Sequence, residues 1–288
     1  RLTENTKNLE QALEISKERL KRAKYQFEYG QNTGLDVLNA EVDINTDSIN
    51  LLNSRQLLRN TMRDLNLILN RELSEVFVTD TTVRFVPGLQ MENMHSEAKE
   101  NNVRIKINEK GMNINKLNIK AARSAFLPTI GLTGTYGWNE SNNNSPLAFL
   151  IQNTATGVTG AVNLTWNLFD GGRAITGIKN VKIGYENQEL LMKQVEQEVE
   201  RDIRNAWDSY TNTLYVLEVQ KKNLQTNQNN FNRTDERYKL GQVTSIEFRQ
   251  AQLNLLNAEL AESQAKYNAK LAELQMLQIS GQLLNVDF

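Results

Sequence analysis

Leu168-Phe169-Asp170-Gly171-Gly172-Arg173 divides two kinds of sequence. After it no proline occurs, and the last glycine before Gly241 is Gly184. Apolar residues then recur at steps of three and four: Met192, Val195, Val199, Ile203, Ala206, Tyr210, Leu214 and Leu217. Polar residues fill the other faces, so Gly171 to Leu240 reads as one amphipathic helix. At 1.5 Å per residue it would be roughly 100 Å long. An ordinary globular helix runs to about 20 residues. A rod of this length has to pack along other rods, which implies a coiled-coil assembly.

Before the turn, the chain carries one charged residue, Glu140, between Ser124 and Phe169, although the whole is 23% charged. Ile130, Leu132, Gly134, Tyr136 and Trp138 alternate with Thr129, Gly131, Thr133, Thr135 and Gly137. Val158, Gly160, Val162, Leu164, Trp166 and Leu168 alternate likewise with Thr159, Ala161, Asn163, Thr165 and Asn167. Period two over about ten residues predicts a pair of strands, joined by an Asn/Ser-rich loop over 139–157. A soluble hairpin with one face on a core is one reading. A pair of transmembrane β-barrel strands is the other, supported by their length, their few charges and their terminal aromatics. The attached rod favours the second, because a soluble hairpin gives no reason for it. On that reading Leu132, Trp138, Val162, Leu164 and Trp166 face lipid, while Thr133, Thr135, Asn163 and Thr165 face a wet lumen.

The rest of the chain is mostly helix. Residues 1–70 predict a helix, a break at Gly30-Gln31-Asn32-Thr33-Gly34 and a second helix, hence an antiparallel hairpin. Val76-Phe77-Val78 and Val83-Arg84-Phe85-Val86, ending at Pro87-Gly88, predict one or two short strands within an intermediate segment 71–97. Helix returns to Phe126 with an interruption near Asn101-Asn102, so 98–126 leads into the strands. Ser245 to Ile279 is a last helix rich in alanine, and 281–288 form a tail. Gly30-Gln31, Thr33, Asp36 and Ala40 match Gly241-Gln242, Thr244, Glu247 and Ala251, so a helix–tip–helix unit occurs twice.

Composition narrows the functional classes. A formal net charge of −1 gives no electrostatic reason to expect nucleic acid. Absence of cysteine excludes disulfides and thiol chemistry. No run of about 18 apolar residues marks a transmembrane helix. His95, among charged residues, reads as a solvated surface histidine, and no cluster has metal or phosphate-loop spacing. No cofactor, no metal site and no catalytic residue is expected.

Phe126-Leu127-Pro128-Thr129-Ile130, Trp166-Asn167-Leu168-Phe169-Asp170-Gly171-Gly172-Arg173 and Arg237-Tyr238-Lys239-Leu240-Gly241-Gln242 resemble the TolC-type outer-membrane efflux proteins. Tyr29-Gly30-Gln31 followed by Leu35-Asp36-Val37-Leu38-Asn39-Ala40 resembles that family's tip motif. The likeness runs through the whole chain in order. It implies a homotrimer whose strands form one twelve-stranded barrel in the outer membrane, four from each subunit, and whose helical hairpins form a tunnel in the periplasm. The expected fold is therefore mainly α with a β-barrel part. Measured against that pattern, the N-terminal half-repeat is absent: Arg1 matches Asn212, and Arg1-Leu2-Thr3 opens without a methionine inside a helical pattern.

The resemblance also assigns roles. The function implied is a passive export duct of a tripartite efflux or type I secretion system in a Gram-negative bacterium, with no enzyme activity. Its partners would be a periplasmic adaptor and, through it, an inner-membrane pump of the RND or ABC class. The tips Gly30, Gln31, Gly34, Gly241, Gln242 and Ser245 would meet the adaptor. Asp36 and Tyr238 fall on members of a polar network that closes the entrance, and Glu247 falls on a ring of carboxylates around the axis. Val243 stands where the best-known relative has a network arginine, and Gln250 where it has a second acid. The plainer alternative is that Asp36 only caps its helix and Glu247 is only solvated. Two rival functions are a structural or adhesive trimeric coiled coil and a periplasmic adaptor. The first leaves the alternating strands unexplained, and the second lacks the lipoyl-like β-domain that adaptors carry.

Overall fold

The computed structural model describes residues 1–142 and 152–286. The middle of the expected external loop and the last two residues of the expected tail lie outside the described residues. The elements are α1 (Leu2–Glu28), α2 (Gly34–Ile68), α3 (Met91–Asn101), α4 (Val103–Arg123), a 3₁₀ turn (Ser124–Phe126), β1 (Thr129–Asn142), β2 (Gln152–Thr165), α5 (Arg173–Lys239) and α6 (Ser245–Ser280). The chain divides into two compact units: residues 1–101 with 199–288, and residues 102–198. Helix α5 contributes to both.

In the first unit α1 and α2 form the hairpin, and α6 and the second part of α5 pack with them. The apolar centre is Met94, Ala206, Tyr210, Ala272, Met276 and Leu277. A second cluster, Leu217, Ala265 and Ala269, continues along α6. Alanine on α6 brings helices close, and Ala269 is fully buried.

Residues 72–90 form no strand, which corrects the expectation of short strands there. The reason is where their backbone groups go. The Lys270 ammonium donates to the Arg84 carbonyl at 2.7 Å, and Val86 N–H donates to the Glu273 carboxylate at 3.3 Å. Asn66 donates to the Glu75 carbonyl at 2.9 Å. Side chains of α2 and α6 thus supply bonds that a partner strand would otherwise supply.

In the second unit the helix break falls at Asn102, whose side chain accepts from Arg104 N–H at 2.9 Å and Ile105 N–H at 3.3 Å as the N-cap of α4. Helix α4 meets the first part of α5 through an Arg104–Glu198 ion pair and a Gln188–Asn108 bond of 3.1 Å. Asp170 starts α5 by accepting from Gly172 N–H at 3.0 Å and Ala174 N–H at 2.7 Å. Strands β1 and β2 pair antiparallel, with Leu132 opposite Val162 and Ile130 opposite Leu164. Both strands run 14 residues, so 139–142 and 152–157 belong to the ladder and not to the loop. Ladder bonds join backbones and need no apolar side chains, which is why pairing outlasts the alternation. Among the described residues no helix is long and apolar enough to cross a membrane.

Leu277 is 1% exposed at the centre of the first unit. Leu277→Ala should cost about 2–5 kcal/mol by removing buried methylenes and leaving a cavity. Denaturant unfolding of the full protein monitored by circular dichroism checks this, and a loss below half a kcal/mol would show that the site collapses freely.

Candidate functional site: the helical tips

Both tips are built in the same way. Helix α1 ends at Gly30, φ +69°, with Gly30 N–H donating to the Phe27 carbonyl at 3.0 Å and Gln31 N–H to the Gln26 carbonyl at 2.8 Å. Helix α5 ends at Gly241, φ +75°, with Gly241 N–H donating to the Tyr238 carbonyl at 3.0 Å and Gln242 N–H to the Arg237 carbonyl at 2.9 Å. This paired 5→2 and 6→1 closure needs a left-handed residue, which glycine supplies without strain. A Cβ at either glycine would meet nothing within 4 Å, so conformation alone selects glycine there.

The next helices begin in the same way too. Asp36 accepts from the Thr33 backbone N–H at 3.2 Å and from its hydroxyl at 2.8 Å. Glu247 accepts from Thr244 N–H at 2.7 Å and hydroxyl at 2.9 Å, while Thr244 Oγ1 accepts from Glu247 N–H at 3.2 Å. Each is a capping box, the acid at the third helical position reaching back to its own N-cap. The Glu247 carboxyl is held below the usual range by the Thr244 backbone N–H first, then by the Thr244 hydroxyl.

Within one chain Asp36 and Tyr238 do not meet. The short Asp36 side chain is drawn to its own N-cap. Tyr238 is 6% exposed and its hydroxyl has no hydrogen-bond partner among the described residues. Its ring stacks on Phe248 with centroids 4.6 Å apart, and the Arg22 guanidinium lies 5.1 Å above it. Arg22 also donates to the Lys239 carbonyl, tying α1 to the last turn of α5. An open groove of about 510 Å³ runs here, lined by Glu14, Glu18, Tyr25, Phe231 and Asp235 among others. Of the remaining sequence-selected residues, Leu132, Trp138, Val162, Leu164 and Trp166 are all more than half exposed. Trp166 lies just past β2, its indole N–H donating to the Phe126 carbonyl at 3.2 Å.

The structure also assembles a cluster that sequence reasoning missed. Arg249 on α6 makes a two-pronged pair with Asp47 on α2, at 2.7 and 2.8 Å. Its Nε is 3.5 Å from Asp43, which pairs in turn with Arg19 of α1. Ser16 donates to Asp47 at 2.6 Å, and Gln252 donates to Ser16 at 3.0 Å and to the Ala12 carbonyl at 2.8 Å. Burial opposes the charge of Arg249, but its bond to Asp47 and the charges of Asp47 and Asp43 outweigh that, so its pKa moves up. A signal for this cluster did exist. Ser16 and Arg19 share the α1 stripe with Ala12 and Ala23, and Asp43 and Asp47 share the α2 stripe with Ala40 and Leu51, at the spacing that core residues use.

Residues 94–282 match the family described as outer membrane efflux protein. The outer membrane protein TolC of Vibrio cholerae is 24% identical over 276 residues, covering 93% of this chain and 61% of that protein. The outer membrane efflux protein BepC of Brucella suis is 23% identical, covering 95% of this chain and 59% of that protein. The chain therefore spans about three fifths of the length of these relatives. The crystal structure of the Campylobacter jejuni CmeC outer membrane channel superposes with a TM-score of 0.71 at 18% identity, covering 98% of this chain and 60% of that one.

The capping box of the second tip should be sensitive to acid. A carboxyl whose folded-state pKa is depressed contributes stability that is present above its unfolded value, about 4.3 for glutamate, and lost as pH falls through the folded value. Amide exchange at Thr244 should therefore be slow at neutral pH and accelerate, beyond the intrinsic pH effect, below about pH 4. Glu247→Gln should remove that dependence. Equal acid sensitivity in wild type and Glu247→Gln would show that the cap does not titrate.

Proposed function

We propose, from the premise that the chain belongs to the outer membrane efflux protein family, that it forms part of a passive trimeric export duct gated at its helical tips. Family membership sets the chain among efflux proteins of the outer membrane, not among enzymes. The observation that carries the duct reading is the strand pair. Over 130–138 and 158–164 the apolar residues share one face, interrupted by Gly134 and Gly160, and the other face carries Thr, Asn, Gly and Ala; every residue of both strands is exposed within the chain. A two-stranded ribbon exposed on both faces needs further strands and two different solvents, lipid on one side and water on the other.

On this reading the strands join others of a closed barrel, and the helical hairpins stand in the periplasm. The tips at Gly30, Gln31 and Gly34 and at Gly241, Gln242 and Ser245 receive a helical-hairpin adaptor, through which an inner-membrane pump of the RND or ABC class supplies the energy. The groove beside Tyr238 supports this, because it is open and combines aromatic with charged lining. Glu247 supplies one carboxylate per subunit to a ring at the entrance; its capping bonds both go to Oε2. Asp36 acts as a gate residue through bonds to a neighbouring subunit, and Tyr238, whose hydroxyl is buried, through the stack on Phe248 that joins α5 to α6 at the tip.

Single cysteines in the full-length protein, reconstituted in vesicles, test the duct. Leu132→Cys and Leu164→Cys should react with a lipid-phase reagent, and Thr133→Cys and Asn163→Cys with a water-soluble one; the reverse pattern sinks the reading. In planar bilayers Glu247→Gln should weaken cation preference without raising the open probability. Unchanged selectivity would place the carboxylate away from the pore.

A further inference from the structure

The Arg249 cluster holds two arginines and two aspartates, so its formal charge is balanced. Its side chains are mostly out of water: Arg19 is 2%, Asp47 4% and Arg249 12% exposed. Three helices contribute. Arg249 lies one turn into α6, and Asp43 and Asp47 lie in the third and fourth turns of α2. The cluster therefore sits towards the tip end of both hairpins.

Apolar packing beside the cluster sets register only through shape. The buried residues of α6 over this stretch include Ala251, Leu255, Leu256 and Ala258, with Gln252 bonded to the Ala12 carbonyl and Ser263 to Glu4. Apolar contacts are non-directional and tolerate small shifts. Buried charges do not tolerate a slip, because displacing Arg249 strands Asp47 without a partner in a dry site. A single buried polar position is a well-attested way to specify register between helices.

Resting on the duct reading, we propose that the Arg249–Asp47 pair, with Asp43, Arg19, Ser16 and Gln252, is the lock that holds the second hairpin on the first at the tip end. For the entrance to widen, α6 must leave the α1–α2 hairpin there, and that requires all these bonds to break together. A lock of this kind differs from adhesive packing in a measurable way. Replacing a buried ion pair by apolar residues of similar size often leaves folding stability unchanged or raised. Adhesion would survive that replacement, whereas a directional lock would not.

The test uses the full-length trimer carrying Arg249→Met together with Asp47→Leu, which removes both charges and so avoids a stranded carboxylate. Expected are a melting temperature within a few degrees of wild type, mean bilayer conductance raised severalfold, and amide exchange accelerated at least severalfold over residues 245–256. Arg249→Lys, which keeps the charge but cannot make the two-pronged bond, should fall between the two. The proposal is overturned if the double variant conducts and exchanges like wild type. If neither wild type nor variant conducts, the duct reading fails, and amide exchange still decides the lock by itself.

Discussion

Helix α5 cannot bury its own apolar stripe, and the rest of the molecule follows from that shortfall. Of its 67 residues, the buried ones are Val199, Ile203, Ala206, Tyr210, Leu217 and Tyr238. None precedes Val199. Ile175, Ile183, Leu190 and Leu191 stay about half exposed or more, though they lie at helical spacing before it. A long helix is held by tertiary packing of its apolar face rather than by propensity. One chain supplies that packing along only part of α5. The exposed stripe and the doubly exposed strand pair make the same demand, surfaces outside the chain, which the proposed trimer and bilayer would meet.

Two kinds of contact hold the first unit, and they are not interchangeable. Around Met276 and Leu277 the contacts are apolar and non-directional, so they tolerate small shifts. Around Arg249 and Asp47 they are charged, directional and fully dependent on geometry. Apolar packing yields gradually as helices part, while a buried ion pair yields all at once. The Arg249–Asp47 contacts lie towards the tips, where a gate would have to move, and the Met276–Leu277 contacts lie farther along α6. The segment 72–90 adds an intermediate case, strapped down through Lys270 and the fully buried Glu273.

Repetition of the hairpin unit is visible in the details of both tips. The turn at Gly30 and the turn at Gly241 use the same pair of backbone bonds, and Thr33–Asp36 and Thr244–Glu247 use the same cap. Outside the tips the copies diverge. Phe27, which the repeat matches to Tyr238, is half exposed, whereas the aromatic stack of the second copy buries Tyr238 against Phe248. The copies thus share the means of reversing the chain and differ in what they present to neighbours.

Helix extents, the break at Asn102, the turn at Asp170 and the strand pair were legible in the sequence, because each follows from local chemistry. Periodicity sets the helices and strands, glycine permits the reversals, and a short polar side chain caps the helix that follows it. Three features were decided only when distant segments met. Residues 72–90 have strand composition but no partner strand, and α2 and α6 claim their backbone groups instead. Asp36 had a choice between a distant tyrosine and its own N-cap, and the nearer donor won. The pairing of Asp43 and Asp47 with Arg19 and Arg249 was set only when α1, α2 and α6 met. A carboxylate's sequence position says which face of a helix it occupies, but only the tertiary structure says whether an arginine from another helix arrives there.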